Sequence, residues 1–495
     1  MRSVNFSAIP MERGGALCLL VLDDGTRWGF PDHRHSEPDG ANSWVRDRWG
    51  VEVGVLDALR LPAETSAGGG ADAPAAYLFV HEARGAPAAL PAGARWAPVA
   101  ELADPRRARP GHHRMLGLWS ADRDHRERDG WLPWQHPGWF AMAVAWAVEE
   151  LRGLGIETVG PVRQDGFRAW SAQLLFPTSA GLVHLKASPP PHAHEPALTR
   201  LLAGWFPGAV PSVLAWDTGR RLMLTSDFGP VRHTGDAART VADFRRVARR
   251  IGLIQRESAA RSEEIAATGC PGHRLARLPD LFENLVAQVS AEPGGLTPQE
   301  SAGLRRLAPD LARDCARLEL LGIPDSLVHH DLWRGNFRVD GDDVLLFDWA
   351  DSVSTHPFLQ LDVLLRDLAG APGQAAAREE VIDSYLAVWA GRRPPAELRE
   401  GVARAAAVAP ISRALLMRDR LAGAPPRIRH RYRGAVAAPL RACLAGAGRG
   451  RTPHSAARGN RGDTCPADRS PRPPSGTSSD TPSGPPSPVP PSSPC

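Results

Sequence analysis

Lysine is all but missing from this chain. Of 59 lysine and arginine residues only one, Lys186, is a lysine. The two side chains differ in size, geometry and hydration, so a chain that uses arginine everywhere else keeps an ammonium where a planar guanidinium does not substitute. Cysteine is scarce too: the six cysteines at 18, 270, 315, 443, 465 and 495 are scattered and form no Cys-x-x-Cys pair. That spacing argues against a zinc site or a disulfide framework and favours a reducing compartment, so the expected location is the cytoplasm. No apolar run approaches the roughly 20 residues that a membrane-spanning helix needs, so no membrane partner is expected. The first residues lack the basic start and apolar core of a signal peptide. A net charge of +4 on 495 residues is too small to suggest a nucleic-acid partner. The length calls for two domains plus tails.

What is present centres on Ser326–Phe337 and Val344–Trp349. The first stretch carries His329, Asp331 and Asn336 between the apolar anchors Val328 and Phe337. The second reads as a buried strand, Leu345–Phe347, that delivers Asp348 at its end. A carboxylate, a carboxamide five residues on, and a second carboxylate closing a strand are the set that phosphoryl transfer from ATP requires. Asp331 would take the proton of an attacking hydroxyl. Asn336 and Asp348 would offer oxygen ligands to Mg²⁺, which prefers hard oxygen donors.

The pattern His-x-Asp, four residues, Asn, then an apolar strand ending in Asp-Trp resembles the aminoglycoside phosphotransferase and choline kinase family, a branch of the protein-kinase-like fold. The resemblance implies an α+β, two-lobed domain over residues 137–443, with ATP and Mg²⁺ as cofactors and a small-molecule hydroxyl as acceptor. In that fold a lysine on the third strand pairs the phosphates and a helix glutamate. Val183-His184-Leu185-Lys186-Ala187 matches that place. Its partner is then Glu195, at the N-cap of a helix whose first position is Pro196. His329 would support the loop through hydrogen bonds. The literal Asp227-Phe228-Gly229 precedes the catalytic segment and is not the metal-binding motif of protein kinases. With Thr225 it falls at the hinge joining the lobes, where adenine would bind. The candidate nucleotide loop, Gln164–Ser171, holds a single glycine, which departs from the glycine-rich loop of protein kinases.

Upstream, residues 1–105 read as a small α/β domain: a strand at 16–22, a short helix at 43–50, a strand at 76–80 and a closing segment at 95–102. The order resembles a Nudix hydrolase domain, but the paired glutamates that would hold metal are missing and Asp47 stands alone, so the module is expected to be catalytically silent. Residues 67–76 read as a Gly/Ala-rich flexible loop, and 106–136 as a charged, irregular linker. Trp139, Met142, Trp146 and Leu151 recur at helical spacing and predict a helix packed on the start of the kinase-like domain. The tail, 444–495, is rich in Pro, Ser and Gly and is expected to be disordered.

The helical region expected over the substrate, 375–443, holds 13 Arg against 6 Asp plus Glu. That surplus argues against a polycationic acceptor and for an anionic or neutral alcohol. Two other classes account for part of the sequence: a nucleotide-binding regulatory pseudokinase, from the glycine-poor loop, and a Nudix-type diphosphate hydrolase, from residues 1–105.

Overall fold

A computed structural model describes residues 4–62, 76–86, 89–129, 131–229, 237–368 and 373–447. Most of the expected 67–76 loop and of the 444–495 tail lies outside those residues. Among the described residues no helix is long and apolar enough to cross a membrane.

The N-terminal module comprises β1 (Asn5–Ala8), β2 (Pro10–Arg13), β3 (Ala16–Asp23), β4 (Trp28–Gly29), β5 (Asp32–His33), α1 (Pro38–Trp49), β6 (Glu52–Arg60), β7 (Tyr77–Gly85), β8 (Ala94–Pro98) and α2 (His112–Asp129). It holds a four-stranded sheet ordered β5-β1-β7-β6 and a second sheet in which β3 pairs β2, β4 and β8. The helix expected at 43–50 starts earlier, because Pro38 suits a first turn. It ends where expected: Gly50 takes the left-handed conformation at φ 66° and donates to the Arg46 carbonyl.

The irregular linker expected at 106–136 is instead largely α2. Its first turns place Met115, Leu116 and Trp119 in the module's core with Trp28 and Phe30. The acidic and basic residues that fill its second half hide that apolar face from a reading by composition. The chain 106–129 thus completes the N-terminal module instead of leaving it.

The next unit contains α3 (Trp139–Gly153), β9 (Arg163–Phe167), β10 (Ala172–Thr178), β11 (Gly181–Ala187), α4 (Glu195–Trp205), β12 (Val213–Asp217) and β13 (Leu222–Ser226). The strands form one antiparallel sheet ordered β12-β13-β11-β10-β9. The tryptophan stripe of α3 is core: Trp139 and Trp146 pack with Leu174, Phe176 and Leu185 from the sheet. The same core takes Ala424 and Ile428 from almost the far end of the chain.

The second lobe is mostly helical: α5 (Ala237–Ser258), α6 (Ser262–Ala267), α7 (Leu278–Ala291), α8 (Pro298–Leu320), α9 (Gln360–Asp367), α10 (Gln374–Leu386), α11 (Pro395–Ala422), α12 (Pro426–Arg431) and α13 (Ala437–Ala447). A capping box starts α8: the Thr297 hydroxyl accepts from Glu300 N at 3.1 Å, and Glu300 accepts from Thr297 N at 2.8 Å. Two short ribbons lie between α8 and α9. One pairs β14 (Ser326–Val328) with β17 (Val353–Thr355), and the other pairs β15 (Phe337–Asp340) with β16 (Asp343–Leu346). Leu327, Val328, Leu346 and Trp349 are fully buried. The segment from 326 to 349 is therefore pinned by its apolar residues.

Candidate active site

Lys186 sits on β11, third strand of the five, with Gln173 and Met223 as its neighbours across the sheet. Its Nζ donates to Glu195 Oε1 and to Asp348 Oδ1, each at 2.6 Å. Glu195 is the first residue of α4, with His194 rather than Glu195 at the N-cap. A carboxylate in a first turn is favoured by the positive end of the helix. The other Glu195 oxygen accepts from Ser188 Oγ at 3.0 Å. The Lys186 side chain is 11% exposed and that of Glu195 1%, so the pair is an internal element and not a solvated surface contact.

Asp348 follows β16 in the left-handed conformation, φ 66° and ψ 62°. For a residue with a Cβ this costs on the order of 1 kcal/mol, a form of strain that collects at working sites. Burial alone would raise the Asp348 pKa. The adjacent Lys186 ammonium outweighs burial and holds the carboxyl well below the usual carboxylate range. Burial likewise pulls the Lys186 ammonium down, and the charges of Asp348 and Glu195 more than reverse it, so its pKa lies above the ordinary value. Both shifts favour the charged pair.

Asp331 and Asn336 lie on the loop between β14 and β15. Asn336 Nδ2 donates to the Asp331 carbonyl and to Asp331 Oδ2, both at 2.8 Å. Its amide oxygen, the hard donor, is outside both bonds. Burial, then the negative charge of Asp348, push Asp331 up to about 6. Two acids in one site thus diverge, one kept ionised and one a base poised near neutral pH, which is how a protein separates acid and base roles.

His329 is fully buried beside Trp349, ring centroids 4.6 Å apart. Its backbone N–H donates to Gln360 Oε1 at 2.8 Å, and its Nε2 lies 3.0 Å from the Phe347 carbonyl. A carbonyl only accepts, so Nε2 carries the proton. Burial lowers the His329 pKa, which keeps the ring neutral. The residue ties the end of β16 to the Asp331 loop.

The structure thus brings Lys186, Glu195, Asp348, Asp331, Asn336 and His329 together. The two hinge candidates differ. Thr225 is buried within β13, opposite His184. Asp227 accepts from Gly229 N at 2.9 Å and from His184 Nε2 at 3.2 Å, and these bonds lower its pKa. Its carboxylate braces the turn and does not join the Lys186 group. Between them and Asp348, Phe228 stacks on His184 at 3.8 Å and on Phe347 at 4.3 Å.

A second cluster went unread in the sequence. Arg420, on α11, ion-pairs with Asp351 and donates Nε to His192 Nε2 at 3.2 Å. Burial brings the His192 pKa to about 3, so the ring is neutral. With Nε2 accepting from Arg420, the 3.2 Å approach of that atom to Asp351 is not an ion pair. The Arg420 guanidinium also lies over Trp170, 5.4 Å from the ring centroid. Nothing in local spacing links positions 192, 351 and 420. Asp362 faces Arg366 and Arg413 at 3.3 and 3.0 Å. Part of the arginine surplus of 375–443 is spent in the same way: Arg404, Arg413, Arg420 and Arg441 each pair with an acid from outside the stretch. The count from sequence therefore overstates the positive charge open to a ligand.

Residues 182–398 match the profile of the phosphotransferase enzyme family, APH. No curated protein matches the sequence. Among solved structures, choline kinase LicA from Streptococcus pneumoniae is 14% identical, with 62% of this chain and 99% of that one covered and a TM-score of 0.41. A choline/ethanolamine kinase family protein from Mesorhizobium loti is 20% identical over 62% of this chain and 92% of its own, with a TM-score of 0.41. A macrolide 2'-phosphotransferase type I is 15% identical, covering 60% of this chain and 96% of that one, with a TM-score of 0.41. The family match does not extend to residues 1–105, whose Nudix-like character stays an expectation from sequence.

Proposed function

We propose that this chain, whose residues 182–398 fall in the phosphotransferase enzyme family, moves the terminal phosphoryl group of ATP to a hydroxyl of a small molecule. The observation that carries the reading is the Lys186 ammonium held between Glu195 and Asp348, 2.6 Å from each, beside the hydrogen-bonded Asp331–Asn336 pair. Positioning and charge neutralisation supply most of the catalysis in such transfers. Asn336 and Asp348 suit Mg²⁺: one has an amide oxygen outside its Nδ2 bonds, the other a carboxylate kept ionised. Bound there, the ion would neutralise charge on the phosphates.

Lys186, oriented by Glu195, holds the phosphates. Asp331 accepts the acceptor's hydroxyl proton as that oxygen bonds to phosphorus and the bond to ADP breaks. A carboxylate with a pKa near 6 is ionised at neutral pH and is a stronger base than an ordinary one. His329 keeps Phe347, and with it Asp348, in register with this loop.

The arginines of 375–443 left over after those pairings favour an anionic or neutral alcohol over a polycation as acceptor. A panel of hydroxylated metabolites and antibiotics, scored for ATP consumption, tests both halves of the reading. Turnover with at least one alcohol, abolished in Asp331→Asn, is expected. ATP·Mg²⁺ binding with no transfer to any acceptor would favour the pseudokinase reading, and strong aminoglycoside turnover would refute the acceptor class.

A further inference from the structure

The candidate nucleotide loop is gripped from outside the family domain. It is the tip of the β9–β10 hairpin, which lies upstream of the family match at residue 182. Its one glycine, Gly166, has no positive φ, and a Cβ there would meet Gln173 Oε1 at a tight 3.3 Å.

β9 is an edge strand of its sheet, and so is β6 of the N-terminal module. Exposed edges carry unpaired peptide groups that proteins cover. Here the cover is one side chain. Gln164, on β9 and 3% exposed, accepts from Val55 N at 2.9 Å and donates to Val55 O at 2.8 Å. Its carboxamide stands in for the peptide of a paired strand, at the point where a register shift between Val55 and Asp57 interrupts the β6–β7 ladder. Asn42 of α1 donates to the same Gln164 oxygen at 3.0 Å.

Two further contacts, one buried and one partly buried, reach the N-terminal module. Gln135 donates to Asp57 at 3.1 Å, and Gly138 N, ahead of α3, donates to Glu82 at 2.7 Å. On the far side of the loop, Trp170 packs against Tyr432 at 5.0 Å and under Arg420. Loop residue Arg168 acts on the Asp348 carboxyl through its charge, so the hairpin tip is within electrostatic reach of the site.

We propose that the N-terminal module is a positioning partner of the nucleotide loop: through Gln164 it holds the β9–β10 hairpin in place for ATP, the task that glycines and their mobility serve elsewhere. The inference rests on the ATP reading above. It predicts that breaking the Gln164–Val55 pairing loosens the hairpin and weakens nucleotide binding without disabling the chemistry.

The test uses the full chain. Gln164→Leu keeps the size but leaves both Val55 peptide groups unpaired. Asn42→Asp, a milder variant on the half-buried partner, places a carboxylate against the Gln164 oxygen. Each is compared with wild type by amide hydrogen exchange over residues 163–171 without nucleotide, by ATP·Mg²⁺ affinity, and by kcat and KM for ATP. Losing two buried hydrogen bonds should speed exchange across the hairpin by about tenfold or more and weaken ATP by about tenfold, with kcat at saturating ATP within about twofold. Asn42→Asp should move the same quantities in the same direction. Wild type that binds ATP, with exchange and affinity unchanged in both variants, would overturn this inference alone. Wild type that binds no ATP would overturn the ATP reading, and this one with it.

Discussion

Asp331→Asn should abolish turnover and make the protein more stable, with a pH dependence that identifies the cause. In the folded protein the Asp331 pKa is raised from 3.8 to about 6. The folded state therefore binds this proton more tightly than the unfolded chain does. Stability from this group is fully present below about pH 4 and is lost as pH rises through about 6. Roughly two pKa units at 1.36 kcal/mol each give about 3 kcal/mol lost between pH 4 and pH 7, an upper bound for a side chain that touches solvent. Asparagine has no proton to lose, and its amide oxygen can still accept from Asn336. The variant should thus gain on wild type by about 1–3 kcal/mol between pH 5 and pH 8 in urea unfolding of the nucleotide-free protein. The same group predicts that wild-type kcat/KM rises with pH and levels off above about 6, because that parameter reports the free enzyme's base. Equal stability differences at pH 5 and pH 8, or a flat rate profile across that range, would refute the assignment.

Two further substitutions probe the frame of the site. Lys186→Met leaves Glu195 and Asp348 as facing carboxylates without their shared cation; it should cost about 3 kcal/mol or more at pH 7, seen as a lower Tm, and eliminate turnover. Tyr385→Phe removes a buried hydroxyl that contacts Gln255 Oε1 at 2.5 Å and the Pro357 carbonyl at 2.8 Å. Chemical denaturation should show a loss of about 1–2 kcal/mol, with kcat unchanged.

The site was legible in the sequence to the extent that its chemistry is local. His329, Asp331 and Asn336 share one loop, Asp348 ends a strand of apolar residues, and Lys186 announces itself as the one lysine of the chain. The grip on the nucleotide loop left no such trace. Gln164 meets Val55 across 109 positions and Arg420 meets His192 across 228, and a glutamine or arginine at either place reads as an ordinary polar residue. α2 was hidden for a different reason: three apolar residues on one face are outvoted by the charges around them. Asp227, read as a hinge residue from its place after β13, turns its carboxylate to Gly229 and His184.

Ala424 and Ile428 complete a core otherwise built from residues 132–224. A ribosome emitting this chain must therefore deliver some two hundred residues more before that earlier lobe can close. Until then its apolar surface waits uncovered, a long-range closure that slows folding and invites chaperones. Ending translation just after α11 would strand the lobe that holds the lysine, although every residue of the ammonium–carboxylate cluster had already been made.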